Sequence, residues 1–200
     1  MKVLIACEYS GRVRDAFAAK GHDAMSCDLL PTDKPGKHYQ GDVMEVINDG
    51  WDLMIAHPPC TYLCNSGVRW LYDKDKAKAV RRWEQMEDAA RLFAVLLDAN
   101  IPKIAVENPI MHKYAVEIIG RRQDQIIQPW MYGHTESKAT GLWLKNLPEL
   151  KPSNDVKEQW KALPKGEGQK IHWMSPSKER AKLRSLTYQG IADAMAEQWG

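Results

Sequence analysis

The sequence lacks a strong excess of charge. Its 28 Lys and Arg against 26 Asp and Glu leave a formal +2, too little to demand a polyanionic partner, although a local basic face remains open. It also lacks any hydrophobic run of membrane-spanning length, and the opening Met1-Lys-Val-Leu-Ile-Ala6 is too short for a secretory signal. A protein with no membrane partner, residing in the cytoplasm, is therefore expected. Cysteine is scarce, with four residues at positions 7, 27, 60 and 64; a chain of this length with no export signal needs no disulfide staples, so free thiols are expected. Glycine-rich phosphate loops are missing as well. The turn Cys7-Glu8-Tyr9-Ser10-Gly11 carries one glycine and no Walker lysine, so neither a dinucleotide nor a triphosphate is its natural ligand. Cys60 and Cys64, with His57 or Cys7, have no second closely spaced Cys/His pair to complete a zinc site, and no metal is expected.

What is present describes an α/β protein. At 200 residues, 44% of them hydrophobic, the chain suffices for one domain over 1–200 with a real core. Short apolar runs at 2–6, 22–27, 51–56 and 102–106 read as strands. Segments 11–20, 43–48 and 74–100 read as helices between them, and Gly21 stops the first. This alternation predicts a Rossmann-like, doubly wound parallel sheet. Residues 31–37 form a polar loop with freedom to move. Strands are expected at 125–128 and 140–144, a loop-rich stretch at 148–168, a less regular part over about 145–186, and a closing helix at 186–199.

The carboxyl ends of such strands are where ligands bind. Cys7-Glu8-Tyr9-Ser10-Gly11 links the first strand to a helix, where a nucleoside cofactor commonly meets this kind of sheet. Asp28 ends the second strand about 20 residues past Glu8, the expected place for a carboxylate that bonds ribose hydroxyls. Asp42, after Gly41, is placed to accept from an adenine amino group. Turn and helix-cap roles account for either acid equally well. The third strand runs into His57-Pro58-Pro59-Cys60, whose prolines end the strand and brace a rigid turn. The fourth ends at Glu107-Asn108-Pro109, so adjacent strand tips offer a thiol and a carboxylic acid to one ligand. Packing beneath the loop is the other reading for Cys60, since free cysteine is among the most buried residue types.

Pro58-Pro59-Cys60 with Gly67, followed by Glu107-Asn108-Pro109, resembles the catalytic motifs of DNA cytosine-5 methyltransferases, and the chain is similar to the short versions found in bacteriophages and prophages. The resemblance implies a class I S-adenosylmethionine-dependent methyltransferase fold without a large target-recognition domain. It implies Cys60 as nucleophile at cytosine carbon 6, and Glu107 as hydrogen-bond or proton donor at ring nitrogen 3. It assigns Cys7, Glu8, Tyr9, Ser10, Gly11, Asp28, Asp42 and Pro58 to S-adenosylmethionine, and Pro59, Asn108 and Pro109 to the base pocket. DNA is the implied partner, with a flipped base, a single strand or a free nucleotide as the form acted on. Glu136-Ser137-Lys138 stands where the family carries an arginine pair, leaving Lys138 to hold a phosphate or the base's carbonyl oxygen. Two loose matches are the strand segment within 128–144 and Tyr188-Gln-Gly-Ile-Ala-Asp193.

Other residues have plainer readings. Arg12 and Arg14 suit a solvated helix face more readily than a phosphate site. Lys178, Arg180, Lys182 and Arg184 form a basic stretch suited equally to a DNA backbone or to solvent. Core or rim packing accounts for most of Trp70, Trp83, Trp130, Trp143, Trp160, Trp173 and Trp199, with Trp70 placed to stack on a base. His134 is more often structural than functional. Two further readings stay open: methylation of an exocyclic amine, because His57-Pro58-Pro59-Cys60 echoes the proline-proline-aromatic loop of amino methyltransferases, and a non-catalytic protein that keeps the cofactor fold.

Overall fold

Leu53–Ala56 is buried at all of its positions, as befits a strand covered on both faces. The computed structural model describes residues 1–75, 77–175 and 177–200. In chain order its elements are β1 (Lys2–Ala6), α1 (Arg12–Ala19), β2 (Asp23–Asp28), β3 (His38–Gln40), β4 (Leu53–Ala56), α2 (Val80–Asp98), β5 (Lys103–Pro109), α3 (Lys113–Ile119), β6 (Gln125–Ile127), β7 (Thr140–Lys145), α4 (Lys157–Lys161), α5 (Lys170–Trp173), α6 (Lys178–Ser185) and α7 (Gln189–Trp199).

The strands form one sheet of seven in the order β3-β2-β1-β4-β5-β7-β6. Alternate side chains of the central strands feed two cores. Leu4, Ala6, Met54, Ala56, Ile104 and Val106 pack with α2 through Met86, Ala90 and Phe93, whereas Val3, Ile5, Leu53 and Ile55 pack with Val13 and Phe17 of α1 and Met195 and Trp199 of α7. Helices on both faces make the sheet doubly wound and Rossmann-like, as expected. It is not wholly parallel: β7 runs against β5 and β6 against β7. The link from β6 to β7 holds a single 3-10 turn, Pro129–Met131, and without a crossover helix the two strands meet antiparallel.

Several boundaries differ from the sequence reading. The helix expected over 74–100 begins only at Val80, because Asp73 Oδ1 accepts from the Asp75 and Ala77 amides and Tyr72 bridges to Lys78, closing a turn. The helix at 43–48 shrinks to the 3-10 turn Val43–Glu45. The last helix starts at Gln189, the 148–168 stretch contains α4, and α3 was not anticipated at all. Arg14 overturns its solvated-face reading. It is 1% exposed, and its guanidinium donates to Ser26 Oγ, Thr32 Oγ1 and the carbonyls of Lys34 and Pro35. The 31–37 loop is thereby tied to α1. Tryptophan follows its packing reading at Trp143 and Trp199, both buried; Trp70 is 57% exposed with the Arg69 guanidinium 4.6 Å over its ring. His134 is structural, its Nε2 accepting from the Gly190 amide at 3.0 Å.

Candidate active site

The carboxyl ends of β1, β4 and β5 converge because the three strands are adjacent and parallel. Beyond their tips lies an open cleft. One wall is Cys7, Glu8, Tyr9 and Ser10; another is His57, Pro58, Pro59 and Cys60; Glu107, Asn108 and Pro109 form the third, and Lys138, Arg184 and Ser185 lie across from them. Of the residues assigned in the sequence to catalysis, cofactor or base, Gly11, Asp28 and Asp42 stand outside this lining.

The Cys60 turn is fastened on several sides. Cys60 O accepts from the Leu63 and Cys64 amides, each at 3.1 Å, His57 N donates to Ala6 O, and His112 N donates to Leu63 O. Asn108 Nδ2 donates to Pro58 O at 3.0 Å, which ties the tips of β4 and β5 together. Gly67 closes the turn: a Cβ there would sit 2.8 Å from the Thr61 carbonyl oxygen. The hydrogen bond to Cys64, followed by burial, raises the Cys60 thiol, and the same bond, with one from Ser66 Oγ at 3.0 Å, lowers Cys64. All four cysteines are free thiols.

Glu107 is paired with His57, which the sequence offered as a metal ligand and as the first residue of the His57-Pro58-Pro59-Cys60 loop. His57 Nδ1 lies 2.9 Å from Glu107 Oε2, with side chains 7% and 12% exposed respectively. Burial pushes the Glu107 carboxyl up, but the His57 hydrogen bond and the Lys138 charge outweigh it and hold the group below its ordinary value. Two buried polar atoms in these walls, His57 Nε2 and Asn108 Oδ1, have no partner among the described residues. The sequence signal for His57 was its place at a strand end, three residues before a candidate nucleophile.

On the cofactor side, Cys7 adopts φ +57°, a left-handed conformation that is uncommon for a residue with a side chain. Its thiol is pushed up to about 12, first by burial and then by Asp28, Cys27 and Asp42, so the two acids lie close to the β1 turn. Glu8 caps α1: Oε1 accepts from Ser10 Oγ and Val13 N, at 2.8 and 2.9 Å. The local alternatives for the other acids are realised too. Asp28 Oδ1 accepts from Leu30 N, and burial raises that carboxyl; Asp42 Oδ1 accepts from Met44 N and caps the Val43–Glu45 turn.

Helix α6 crosses the cleft. Ser185 Oγ is 3.0 Å from the Tyr9 hydroxyl, Lys182 pairs with Asp33 at 2.7 Å, and Lys138 Nζ donates to Arg184 O at 2.8 Å. Lys138, expected at a phosphate or base, is thus engaged with the end of a helix. A second hollow, of about 300 Å³, shares Pro109, Lys138 and Arg184 with the first and adds Arg180 and Tyr188. The side chain of Lys178 lies outside the described residues.

No protein-family profile matches the chain, and no curated protein does. Among solved structures it is similar to a prophage-encoded E. coli protein described as a DNA modification methyltransferase, at 17% identity and TM-score 0.45 over 82% of this chain and 55% of that one. It is also similar to the Entamoeba histolytica methyltransferase EhMeth, at 14% identity and TM-score 0.49 over 77% of this chain and 57% of that one. The chain spans little more than half the length of either.

Proposed function

We propose that this chain transfers a methyl group from S-adenosylmethionine to carbon 5 of cytosine in DNA, through a covalent adduct at Cys60. The observation that carries this reading is the meeting of Cys60, Glu107 and the Cys7–Ser10 turn around one cleft. A thiol and an acid reach the same ligand there, beside the turn at which this class of sheet receives a nucleoside.

The residues present fit the methyl donor. Asp28 and Asp42 lie near enough to the β1 turn to raise the Cys7 thiol, so carboxylate acceptors await ribose hydroxyls and an adenine amino group, with Tyr9, Ser10, Gly11 and Pro58 around them. Glu8 shapes this end by capping α1 rather than by offering free oxygens. When bound, S-adenosylmethionine supplies an electrophilic sulfonium methyl. The chain supplies the rest: Cys60 Sγ adds to carbon 6, Glu107 engages ring nitrogen 3, and Pro59, Asn108 and Pro109 shape the base pocket, leaving carbon 5 nucleophilic. Since a stacked base is out of reach, the substrate is single-stranded or flipped.

The test is incubation with methyl-labelled donor and DNA carrying 5-fluorocytosine. Fluorine at carbon 5 cannot leave as a proton, so a protein–DNA adduct should persist, and Cys60→Ser should abolish both adduct and methyl transfer. Methyl transfer surviving in Cys60→Ser with no adduct would favour an exocyclic amine as acceptor; cofactor binding with neither product would favour the non-catalytic reading.

A further inference from the structure

We propose that Cys60 and Cys64 are a peroxide-oxidisable dithiol, whose internal disulfide reversibly takes the Cys60 sulfur out of use. Formation of the disulfide depends only on the turn that carries the two residues; that it stops methyl transfer rests on the reading of Cys60 as the nucleophile. Cys60 O accepts from Cys64 N at 3.1 Å, which closes the turn between them. A turn of this i→i+4 type spaces its Cα atoms by about 6 Å, inside the range of about 4.4–6.8 Å that disulfides span. The two thiols also share a hydrogen bond, so their sulfurs face each other. Cys60 opens onto the cleft, whereas Cys64 is 4% exposed. An accessible thiol backed by a buried one is the arrangement of a reactive and a resolving cysteine.

Electrostatics separate this pair from the other two cysteines. The hydrogen bond from Cys60, then Ser66 Oγ at 3.0 Å and the Arg184 charge, hold the Cys64 thiol below its ordinary range against the effect of burial. The same bond, with burial, keeps the proton on Cys60, where Arg184 and Glu107 act in opposite senses. Near neutrality the two sulfurs therefore hold one proton between them. Cys7 and Cys27 are neighbours too, since Ala6 pairs with Cys27 across β1 and β2. Burial and then Asp28 and Asp42 raise both of these thiols, Cys7 to about 12 and Cys27 to about 11, which leaves almost no thiolate to react.

With a peroxide as oxidant the protons and electrons balance. The Cys60 proton passes to Cys64 along their hydrogen bond, and Cys60 Sγ attacks one peroxide oxygen; the O–O bond breaks and hydroxide leaves. The product at Cys60 is a sulfenic acid. Cys64 Sγ then attacks the Cys60 sulfur, the S–O bond breaks, and the departing oxygen takes the Cys64 proton and leaves as water. The dithiol is oxidised by two electrons to the disulfide while the peroxide is reduced to water and hydroxide. A small thiol reductant reverses the change by exchange at the new S–S bond.

The experiment reads the sulfurs directly. The full chain is exposed to hydrogen peroxide at neutral pH, quenched with catalase, labelled with N-ethylmaleimide under denaturing conditions and digested with trypsin, which leaves both cysteines in the peptide 38–69. That peptide should lose two hydrogens and both labels, at least ~10-fold faster than Cys7 and Cys27 lose theirs, and dithiothreitol should restore it. Retained labels, or loss no faster than at Cys7 and Cys27, overturn the proposal, as does wild-type Cys60 running on to sulfinic acid. In Cys64→Ser, with no resolving thiol, Cys60 should go on to sulfinic acid, which dithiothreitol does not reverse; full recovery there would show that Cys64 is not the partner. Methyl transfer should fall and return in step with the disulfide, and transfer that persists in the disulfide form overturns the shut-off together with the nucleophile reading. The labelling needs neither cytosine nor a methyl donor, so a chain without methyl transfer still decides whether the disulfide forms.

Discussion

A carboxylate at the tip of β1 invites assignment to a ligand, yet Glu8 is spent inside the protein. It is 5% exposed, and it accepts from Val13 N, in the first turn of α1. Gly11 at the helix N-cap has no side chain to offer and takes φ +72°, so the cap comes from outside the helix, where a negative charge also suits the helix dipole. Glu8→Ala should therefore cost about 1–2 kcal/mol of stability, the range for a lost helix cap, measured as a lower denaturant midpoint. If Glu8 serves the methyl donor alone, the midpoint will not move and only donor affinity will fall. The contrast with Cys60 and Glu107 is one of commitment: identity and spacing suggested all three, but only hydrogen-bond partners separate a cap from a reactive pair.

Helix α6 shows the same issue one level up. Its last turn is held by Lys138 Nζ through the carbonyls of Arg184 and Leu186, at 2.8 and 3.4 Å, a cation on the negative end of a helix. Lys138→Met should raise amide hydrogen exchange in α6 and leave β1, β4 and β5 protected; unchanged exchange in α6 would return Lys138 to a purely ligand-binding role. The central strands were legible because apolar runs ending at Cys7, Asp28, His57 and Glu107 signal both a strand and its stop. The pairing of 57–60 with 107–109 was legible for the same reason. Helix α3 was not, being seven residues long, although its His112 cap and Gly120 in the left-handed conformation were signals available in retrospect. The lodging of Arg14 among carbonyls of the 31–37 loop had no local signal, since charge on a helix face says nothing about what folds over it.

For the molecule as a whole, the net charge of +2 conceals where the cations gather. Lys138 and Arg184 border both hollows, and Arg180 lines the larger, directly beside the Cys60 and Glu107 walls. A nucleotide whose base enters the cleft would carry its phosphates towards these three residues, so affinity for nucleic acid should depend on a local cluster and not on overall charge. If all three meet phosphates of a single strand, log affinity should fall against log salt with a slope of about −2, and about −3 for a duplex. Arg184→Gln should flatten that slope by roughly one unit, whereas neutralising Lys37, which lines neither hollow and pairs with Asp23, should leave it unchanged. A slope near zero for both single and double strands would mean that no strand is held there. The cleft would then be left to a ligand recognised by its base and ring atoms alone, and the small C-terminal part would be a cover for that ligand rather than a track for DNA.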